Sequence, residues 1–324
     1  MKRVLFFVLI LVISNFAFSE SFNIGYSKSF WQFDVVKSEP VFEKGYYQND
    51  FTCYSQSEFS YVFVENDILE SKDKKLDKVL VNKIQKRFDD YFPILSEYFG
   101  PPSDLDNNGK FIILIADIRD WFYYDMEIQE GMEPILGYYW FAFNGMNNND
   151  YLTMDFDQPE IDAYGTLVHE YFHNIYDNVN PEPVNVADRA VNEALAHFAI
   201  YLNGTMDKDS YCNWQFSILK KDISLGKFLN PFDGSHDYFD IVNPDTHHCY
   251  ANGYFFMYYI SEIILKDDNL KKRFFNTLIY EEINGSSAQK LNNALYNMGI
   301  IDCDKDFDDL FFDEYKKFVT KHLN

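Results

Sequence analysis

The chain is organised around residues 166–203, TLVHEYFHNIYDNVNPEPVNVADRAVNEALAHFAIYLN. His169 and His173 are four positions apart, so on a helix both imidazoles leave the same face and can bind one metal ion. Glu170 is rotated by about 100° around the helix axis, which places it beside the ion rather than in its ligand set. This HExxH spacing predicts a catalytic zinc site with Glu170 as the general base.

A third ligand is expected from another element, because a catalytic zinc ion takes three protein ligands and leaves one position for water. Glu193 follows the motif at a distance that lets one helix end and a second helix return alongside it. Pro181 and Pro183 mark the predicted reversal of the chain. The alternative is that HExxH lies by chance on a surface helix. The helix-compatible flanks YGTLV and AVNEALAHFAIYL favour the metal site.

The HExxH motif with the later pair Asn192–Glu193 resembles the signature of the gluzincin metallopeptidases. Within that clan the chain is most similar to the hyicolysin family of secreted bacterial peptidases. The similarity lies after position 104, in the segments DLDNNGKFIILIADI, LGYYWF, YLTMDFD, NEALAHF and YANGYFFMYYI. The resemblance implies a zincin-like enzyme that hydrolyses peptide bonds. It also implies the roles of four residues, namely His169, His173 and Glu193 as zinc ligands and Glu170 as base.

His197 departs from the thermolysin-like pattern, in which an aspartate four residues after the third ligand orients the first histidine. An imidazole can accept a hydrogen bond from a ligand, although more weakly than a carboxylate can. Three interpretations remain open for His197: a hydrogen-bond partner of a ligand, a packed helix residue, or a competing ligand.

A donor that stabilises the oxyanion is expected from the segment 245–260, DTHHCYANGYFFMYYI, where a loop is predicted to enter a helix. Its YANG residues resemble the YxxG segment of several gluzincin branches, in which the tyrosine donates its hydroxyl to the oxyanion. The resemblance implies Tyr250 in this catalytic role. His248 is the alternative, because thermolysin-like members use a histidine. Aromatic packing alone would also explain Tyr250 or the nearby Tyr254.

Composition and the N-terminus indicate a folded, exported protein. The 324 residues are 47% hydrophobic and 19% aromatic, enough to bury a sizeable core. A formal charge of -23 gives no footprint for nucleic acid or anionic lipid. Residues 1–19 combine Lys2 and Arg3, the apolar run VLFFVLILVI and the small residues Ala17 and Ser19. They predict a cleavable bacterial signal peptide and a secreted or periplasmic protein without stable membrane insertion; a membrane anchor is the alternative.

Cysteine and aspartate patterns suggest two further features. Cysteines at positions 53, 212, 249 and 303 are compatible with disulfides, with Cys212–Cys249 the preferred pair because both lie in the predicted helical part. The segment 104–110, DLDNNGK, resembles the first half of a calcium loop, but Ile115 stands where an EF-hand needs a glutamate. A turn is therefore favoured over an atypical Ca²⁺ site.

Apolar periodicity predicts an α+β protein with two lobes, a small mixed sheet in the upper lobe, a central zinc-binding helix and a mainly α-helical lower lobe. The predicted strands are FTCYSQSEFSYVFVEND, FIILIADI, GYYWFAF and YLTMDF; the predicted helices cover 72–99, the HEYFH segment, 209–221, 253–266, 269–280, 287–297 and 306–322. The predicted parts are a signal peptide (1–19), a β-rich segment and helix (20–100), an upper catalytic lobe (101–178) and a lower lobe with the third ligand (179–324).

The sequence thus predicts a secreted zinc endopeptidase whose partner is a protein or peptide substrate. A gluzincin aminopeptidase is one alternative, but neither Gly145-Met146-Asn147 nor Gly131-Met132-Glu133-Pro134 matches the GxMEN-type segment of that branch. An exported, non-catalytic zinc-binding surface protein is the other alternative. Glu170 argues against it, because a structural zinc site needs no base and usually takes four protein ligands.

Overall fold

The computed structural model describes residues 21–38, 42–127, 134–179, 186–204, 208–224, 230–232, 244–280, 286–302 and 306–323. The predicted signal peptide, the loop with Pro181 and Pro183, and Cys303 lie outside these ranges. Within them the chain forms α-helices and one six-stranded sheet, which is the α+β class that the sequence predicts. No helix in the described ranges is long and apolar enough to span a membrane.

The six strands form one mixed sheet in the order β1-β2-β3-β4-β6-β5. Strands β3, β4 and β6 are parallel, whereas β1, β2 and β5 are antiparallel to their neighbours. Because β3 pairs with β4, the N-terminal β-rich segment and the predicted upper catalytic lobe share one sheet. The bounds are β1 Ser27–Phe33, β2 Tyr46–Gln56, β3 Ser60–Glu65, β4 Phe111–Ala116, β5 Gly137–Tyr138 and β6 Tyr151–Asp155.

Helices lie between the strands and after the last of them. Their bounds are α1 Val35–Ser38, α2 Asn66–Glu70, α3 Lys78–Phe99, α4 Phe141–Asn147, α5 Glu160–Val179, α6 Val186–Asn203, α7 Lys208–Ser224, α8 Pro244–Tyr258, α9 Asp268–Tyr280, α10 Ser287–Asn297, α11 Phe307–Asp309 and α12 Lys316–Leu323. Phe42–Gly45 is a 3₁₀ turn, and π-helical turns at Tyr259–Leu265 and Leu310–Tyr315 follow α8 and α11. Helix α3 begins later than predicted because the Asp77 carboxylate caps its first turn.

Strand β4 is buried on both faces, which explains its uninterrupted apolar sequence FIILIA. Ile113 and Ile115 face the main core, to which α3, α5, α6 and α8 contribute. Ile112 and Leu114 face a second core on the other side of the sheet, which is rich in aromatic residues of β1, β2 and β3. The sheet is therefore a rigid layer between two cores, with helix α5 packed on one of its faces.

The predicted strand GYYWFAF is largely wrong. Only Gly137 and Tyr138 pair with β6, and the chain then turns into helix α4. The period of a short apolar run does not distinguish a strand from a helix. Burial of Phe143, whose ring lies 4.9 Å from that of Tyr46, favours the helix here. Helix α8 also differs from the prediction, because it begins at Pro244 rather than at Gly253.

Gly253 lets helices α6 and α8 approach each other closely. A Cβ atom placed on Gly253 would lie 2.9 Å from the Cβ of Ala194, closer than Cβ atoms approach in real proteins. Ala194 directly follows Glu193, the predicted third ligand. The glycine therefore sets how α8 packs against the part of α6 that carries this glutamate.

We expect Gly253→Ala to lower the melting temperature. The added methyl group overpacks the contact with Ala194, at a cost of about 1–3 kcal/mol that exceeds the gain of about 0.5–1 kcal/mol from replacing a helical glycine. Gly165→Ala in α5 is the matched control, because its new Cβ would lie 3.9 Å from Ile200. Thermal unfolding should show stabilisation of the control and destabilisation at Gly253. Equal stabilisation of both variants would contradict the close packing.

Candidate metal centre

Helices α5 and α6 bring the three predicted metal ligands together. His169 and His173 lie one turn apart on α5, with ring centroids 4.7 Å apart. Glu193 of α6 faces both: its Oε2 lies 3.2 Å from Nε2 of His169, and its Oε1 lies 3.7 Å from Nε2 of His173. Among the described residues, these three side chains are the only group of potential metal ligands that converge, with ligand atoms within 4.8 Å of one another.

The charge on Glu193 is stabilised by its neighbours. Burial opposes the charged carboxylate, but the imidazoles of His173 and His169 outweigh it and hold the pKa of Glu193 below its ordinary value. Burial likewise lowers the pKa of His169, yet the Glu193 and Glu170 carboxylates outweigh it and raise that pKa. Both shifts arise because the imidazole of His169 and the carboxylate of Glu193 lie 3.2 Å apart, where each favours the charged form of the other.

One oxygen of this carboxylate could accept a cation. Oε2 of Glu193 is buried, and no hydrogen bond of acceptable geometry reaches it from the described residues, although Nε2 of His169 is 3.2 Å away. A buried carboxylate oxygen without a partner is costly unless it binds a metal. Two imidazoles and one carboxylate are a ligand set that catalytic zinc takes, with one position left open.

Asn192 holds His173 in the orientation that a metal needs, a role that the sequence analysis did not assign. Its Oδ1 lies 2.9 Å from Nδ1 of His173. Because a carbonyl oxygen can only accept, His173 carries its proton on Nδ1 and keeps the lone pair of Nε2 for a metal. The adjacent pair Asn192–Glu193 was the available signal, since neighbouring residues of one helix can reach the same site from two directions.

Strand β5 is the edge strand beside Glu170. A Cβ on Gly137 would lie 2.5 Å from Cγ2 of Thr166, 2.9 Å from the carbonyl oxygen of Thr153 and 3.6 Å from Cγ of Glu170. No side chain fits between this strand and α5, so the backbone of β5 lies directly over the predicted base. Strand β1 forms the opposite edge of the sheet, at the other end of the strand order from β5.

His197 lies beside the converging ligands without joining them. Its ring centroid is 4.7 Å from that of His169 and 5.2 Å from that of Tyr250. Its Nδ1 lies 2.9 Å from the hydroxyl of Tyr211 on helix α7. The sequence carried no signal for Tyr211, because the contact joins two helices through side chains 14 residues apart.

Of the predicted oxyanion donors, Tyr250 is the one near the site. Burial and then the charges of Glu193 and Glu170 raise the pKa of its hydroxyl well above the ordinary value, so the hydroxyl stays protonated. His248 is buried two residues earlier on α8, and side chains two apart on a helix point about 200° apart. Tyr254 is in the core, with its hydroxyl 3.0 Å from Sγ of Cys212. Tyr250 lies inside α8, rather than at its head as predicted.

The predicted disulfide is not formed in the structure, whereas the acidic segment is the turn that the sequence favoured. Cys212 and Cys249 are not bonded to each other, and Cys212 contacts Tyr254 instead. At the turn after α3, the carboxylate of Asp104 accepts hydrogen bonds from the backbone of Asn108 and Gly109. The DLDNNGK segment is therefore the turn that the sequence favoured, closed by its own carboxylates. Its aspartates are not among the described side chains that converge as metal ligands.

No protein-family model matches the chain, and no curated protein sequence matches it. Helix α5 supplies the imidazoles of His169 and His173 and the neighbouring carboxylate of Glu170. Helix α6 supplies the carboxylate of Glu193. Such a set can hold one divalent ion, with the carboxylate of Glu170 and the edge strand β5 beside it.

We expect Asn192→Ala to weaken zinc binding by about 10- to 100-fold, because the partner that orients a ligand histidine is lost. Asn192→Asp should retain binding, since a carboxylate accepts the same hydrogen bond. Asn203→Ala is the control: Asn203 lies on the same helix, but its amide donates to the carbonyl of Ala199. Competition with a fluorescent chelator measures all three dissociation constants. Zinc binding by Asn192→Ala at the affinity of the control would remove the orienting role.

Proposed function

We propose that the chain is an exported zinc endopeptidase of the gluzincin type. The observation that carries the proposal is the convergence of His169, His173 and Glu193 with a base next to the first ligand. Oε2 of Glu193 is buried and has no hydrogen bond of acceptable geometry from the described residues, which supports a metal at this point. A two-lobed zincin-like fold, with the sheet above α5 and the later helices below it, is part of the same proposal.

His169, His173 and Glu193 would hold the zinc ion. When bound, zinc polarises the scissile carbonyl and makes a water molecule acidic enough to lose a proton near neutral pH. The protein's part is to fix this ligand set and to leave one position open. Asn192 contributes by keeping the proton of His173 on Nδ1.

Glu170 would act as the general base. It follows the first ligand on α5, is half-buried, and lies next to the edge strand over which a substrate would run. Its carboxylate takes a proton from the attacking water and passes it to the leaving amine. The intact base is what favours an enzyme over a non-catalytic surface protein that stores zinc.

Strand β5 would hold the substrate by adding an extended peptide to the edge of the sheet. Gly137 brings the backbone of β5 into contact with α5, so the peptide would lie against Glu170. Backbone pairing of this kind binds many sequences, as a general peptidase requires. It supports an endopeptidase, and the sequence has no segment of the aminopeptidase type that would capture a substrate's amino terminus.

Tyr250 would donate its hydroxyl to the oxyanion that forms as water attacks. Its proximity to Glu170 and Glu193, and a pKa raised by burial and by these charges, support a protonated donor facing the reacting atoms. Export through a signal peptide at residues 1–19 remains part of the proposal. The formal charge of -23 gives no footprint for nucleic acid as a partner.

The Glu170→Gln variant should keep one zinc per chain and lose peptidase activity by about 10²–10⁴-fold, because the ligands are untouched and the base is gone. Glu193→Ala should instead lose its zinc. Glu160→Gln, at the exposed start of the same helix, is the control that should keep both properties. Elemental analysis and hydrolysis of unfolded casein, with and without chelator, measure the outcome. Parental hydrolysis by Glu170→Gln would remove the assigned base.

Tyr250→Phe should lower the turnover number by about 10²-fold without changing zinc content, since one oxyanion donor is lost. Tyr254→Phe is a matched control on the same helix, because its hydroxyl contacts Cys212 rather than the site. Steady-state hydrolysis of a fluorogenic peptide gives both turnover numbers. If Tyr250→Phe keeps the parental turnover while His248→Ala loses it, the histidine holds this role.

A further inference from the structure

His197 poses a problem for a catalytic metal site. Its imidazole lies beside His169 on one side and Tyr250 on the other. An imidazole so close to a zinc ion is a potential fourth ligand, and four protein ligands close the position that a catalytic water needs. If the proposed function is correct, something must keep this side chain out of the ligand set.

The hydrogen bonds on the far side of His197 supply the restraint. Nδ1 of His197 lies 2.9 Å from the hydroxyl of Tyr211. The same hydroxyl accepts a hydrogen bond from Nε2 of Gln215, 3.1 Å away and one turn further along α7. Tyr211 and Gln215 are each only 1% exposed, so water does not replace these contacts.

The direction of these hydrogen bonds follows from the number of protons that each group can donate. A tyrosine hydroxyl has one proton to donate. Because Gln215 donates to Tyr211, the hydroxyl proton is available for Nδ1 of His197, which accepts it when the ring carries its proton on Nε2. If Nδ1 carried a proton instead, the buried hydroxyl would receive two donors and its own proton would lack this acceptor, which is costly in the interior.

We propose that Tyr211, oriented by Gln215, fixes His197 in the tautomer that carries its proton on Nε2. In that tautomer the lone pair of Nδ1 accepts the hydrogen bond from the Tyr211 hydroxyl, and Nε2 carries a proton. Neither nitrogen then has a lone pair available for zinc. The arrangement keeps three protein ligands on the metal and one position open. Tyr211 is thus a positioning residue that acts through His197 rather than a catalytic residue.

The geometry of the site is consistent with this role. Among the described side chains, the ligand atoms that converge within 4.8 Å are those of His169, His173 and Glu193, and His197 is not among them. Helix α7 therefore contributes to the metal centre although it carries no ligand. The inference rests on the proposed function, since it concerns the same zinc ion.

The unaltered protein gives a first test. Zinc-loaded protein with ¹⁵N-labelled histidine rings, compared with the same sample of His197→Ala, identifies the resonances of His197. The proposal requires that the proton of this ring lies on Nε2. A proton on Nδ1 would overturn it, because Nε2 would then be free to bind zinc or to accept from a ligand.

Tyr211→Phe gives the second test, because it removes the hydroxyl and preserves the ring. His197 can then present a lone pair on Nε2 and close the site. We expect zinc to bind at least about tenfold more tightly, the scale at which single contacts around zinc sites act, and casein hydrolysis to fall. In the cobalt-substituted protein, azide should change the visible spectrum of the parent but no longer that of the variant.

Two further variants make the result specific. Tyr91→Phe removes a buried hydroxyl from helix α3 and should leave zinc affinity and the azide response unchanged. The double variant Tyr211→Phe with His197→Ala should regain the azide response. Zinc binding by Tyr211→Phe at or below the parental affinity, with the azide response intact, would overturn the proposal. Failure of the parent to bind zinc would instead overturn the proposed function.

Discussion

The contact of the largely buried Glu193 carboxylate with two imidazoles is the interaction on which the candidate site depends. Removing a carboxylate from water is costly, and only cations or strong donors can offset that cost. His169 and His173 face it at 3.2 and 3.7 Å, yet one of its oxygens still lacks a hydrogen bond from the described residues. The pair of helices α5 and α6 therefore holds a charge arrangement that a divalent ion would complete.

Two close backbone contacts position the residues around this carboxylate. On one side, Gly137 lets the edge strand lie against α5 beside Glu170. On the other side, Gly253 lets α8 lie against Ala194, the residue after Glu193. Both contacts exclude a side chain, so the strand, the proposed base and the proposed third ligand are positioned by backbones rather than by flexible groups. Such rigidity is what a preorganised site needs.

Much of the site could be predicted from the sequence because it is local. The four-residue spacing of the histidines and the uninterrupted apolar run of β4 reflect the helical period and burial on both faces. The rest depends on contacts between distant segments. Burial of Phe143 against Tyr46 turns a predicted strand into helix α4, and the hydroxyl of Tyr211 reaches His197 from another helix. No pattern within one segment carries that information.

We propose that two imidazoles and one carboxylate hold a catalytic zinc ion in this chain. X-ray absorption at the zinc edge of the purified protein tests this ligand set. The proposed site requires one zinc per chain, four nitrogen or oxygen neighbours at about 2.0–2.1 Å, two of them imidazoles, and no sulfur. A protein that retains no zinc, or a spectrum with sulfur at about 2.3 Å, would contradict the proposed site.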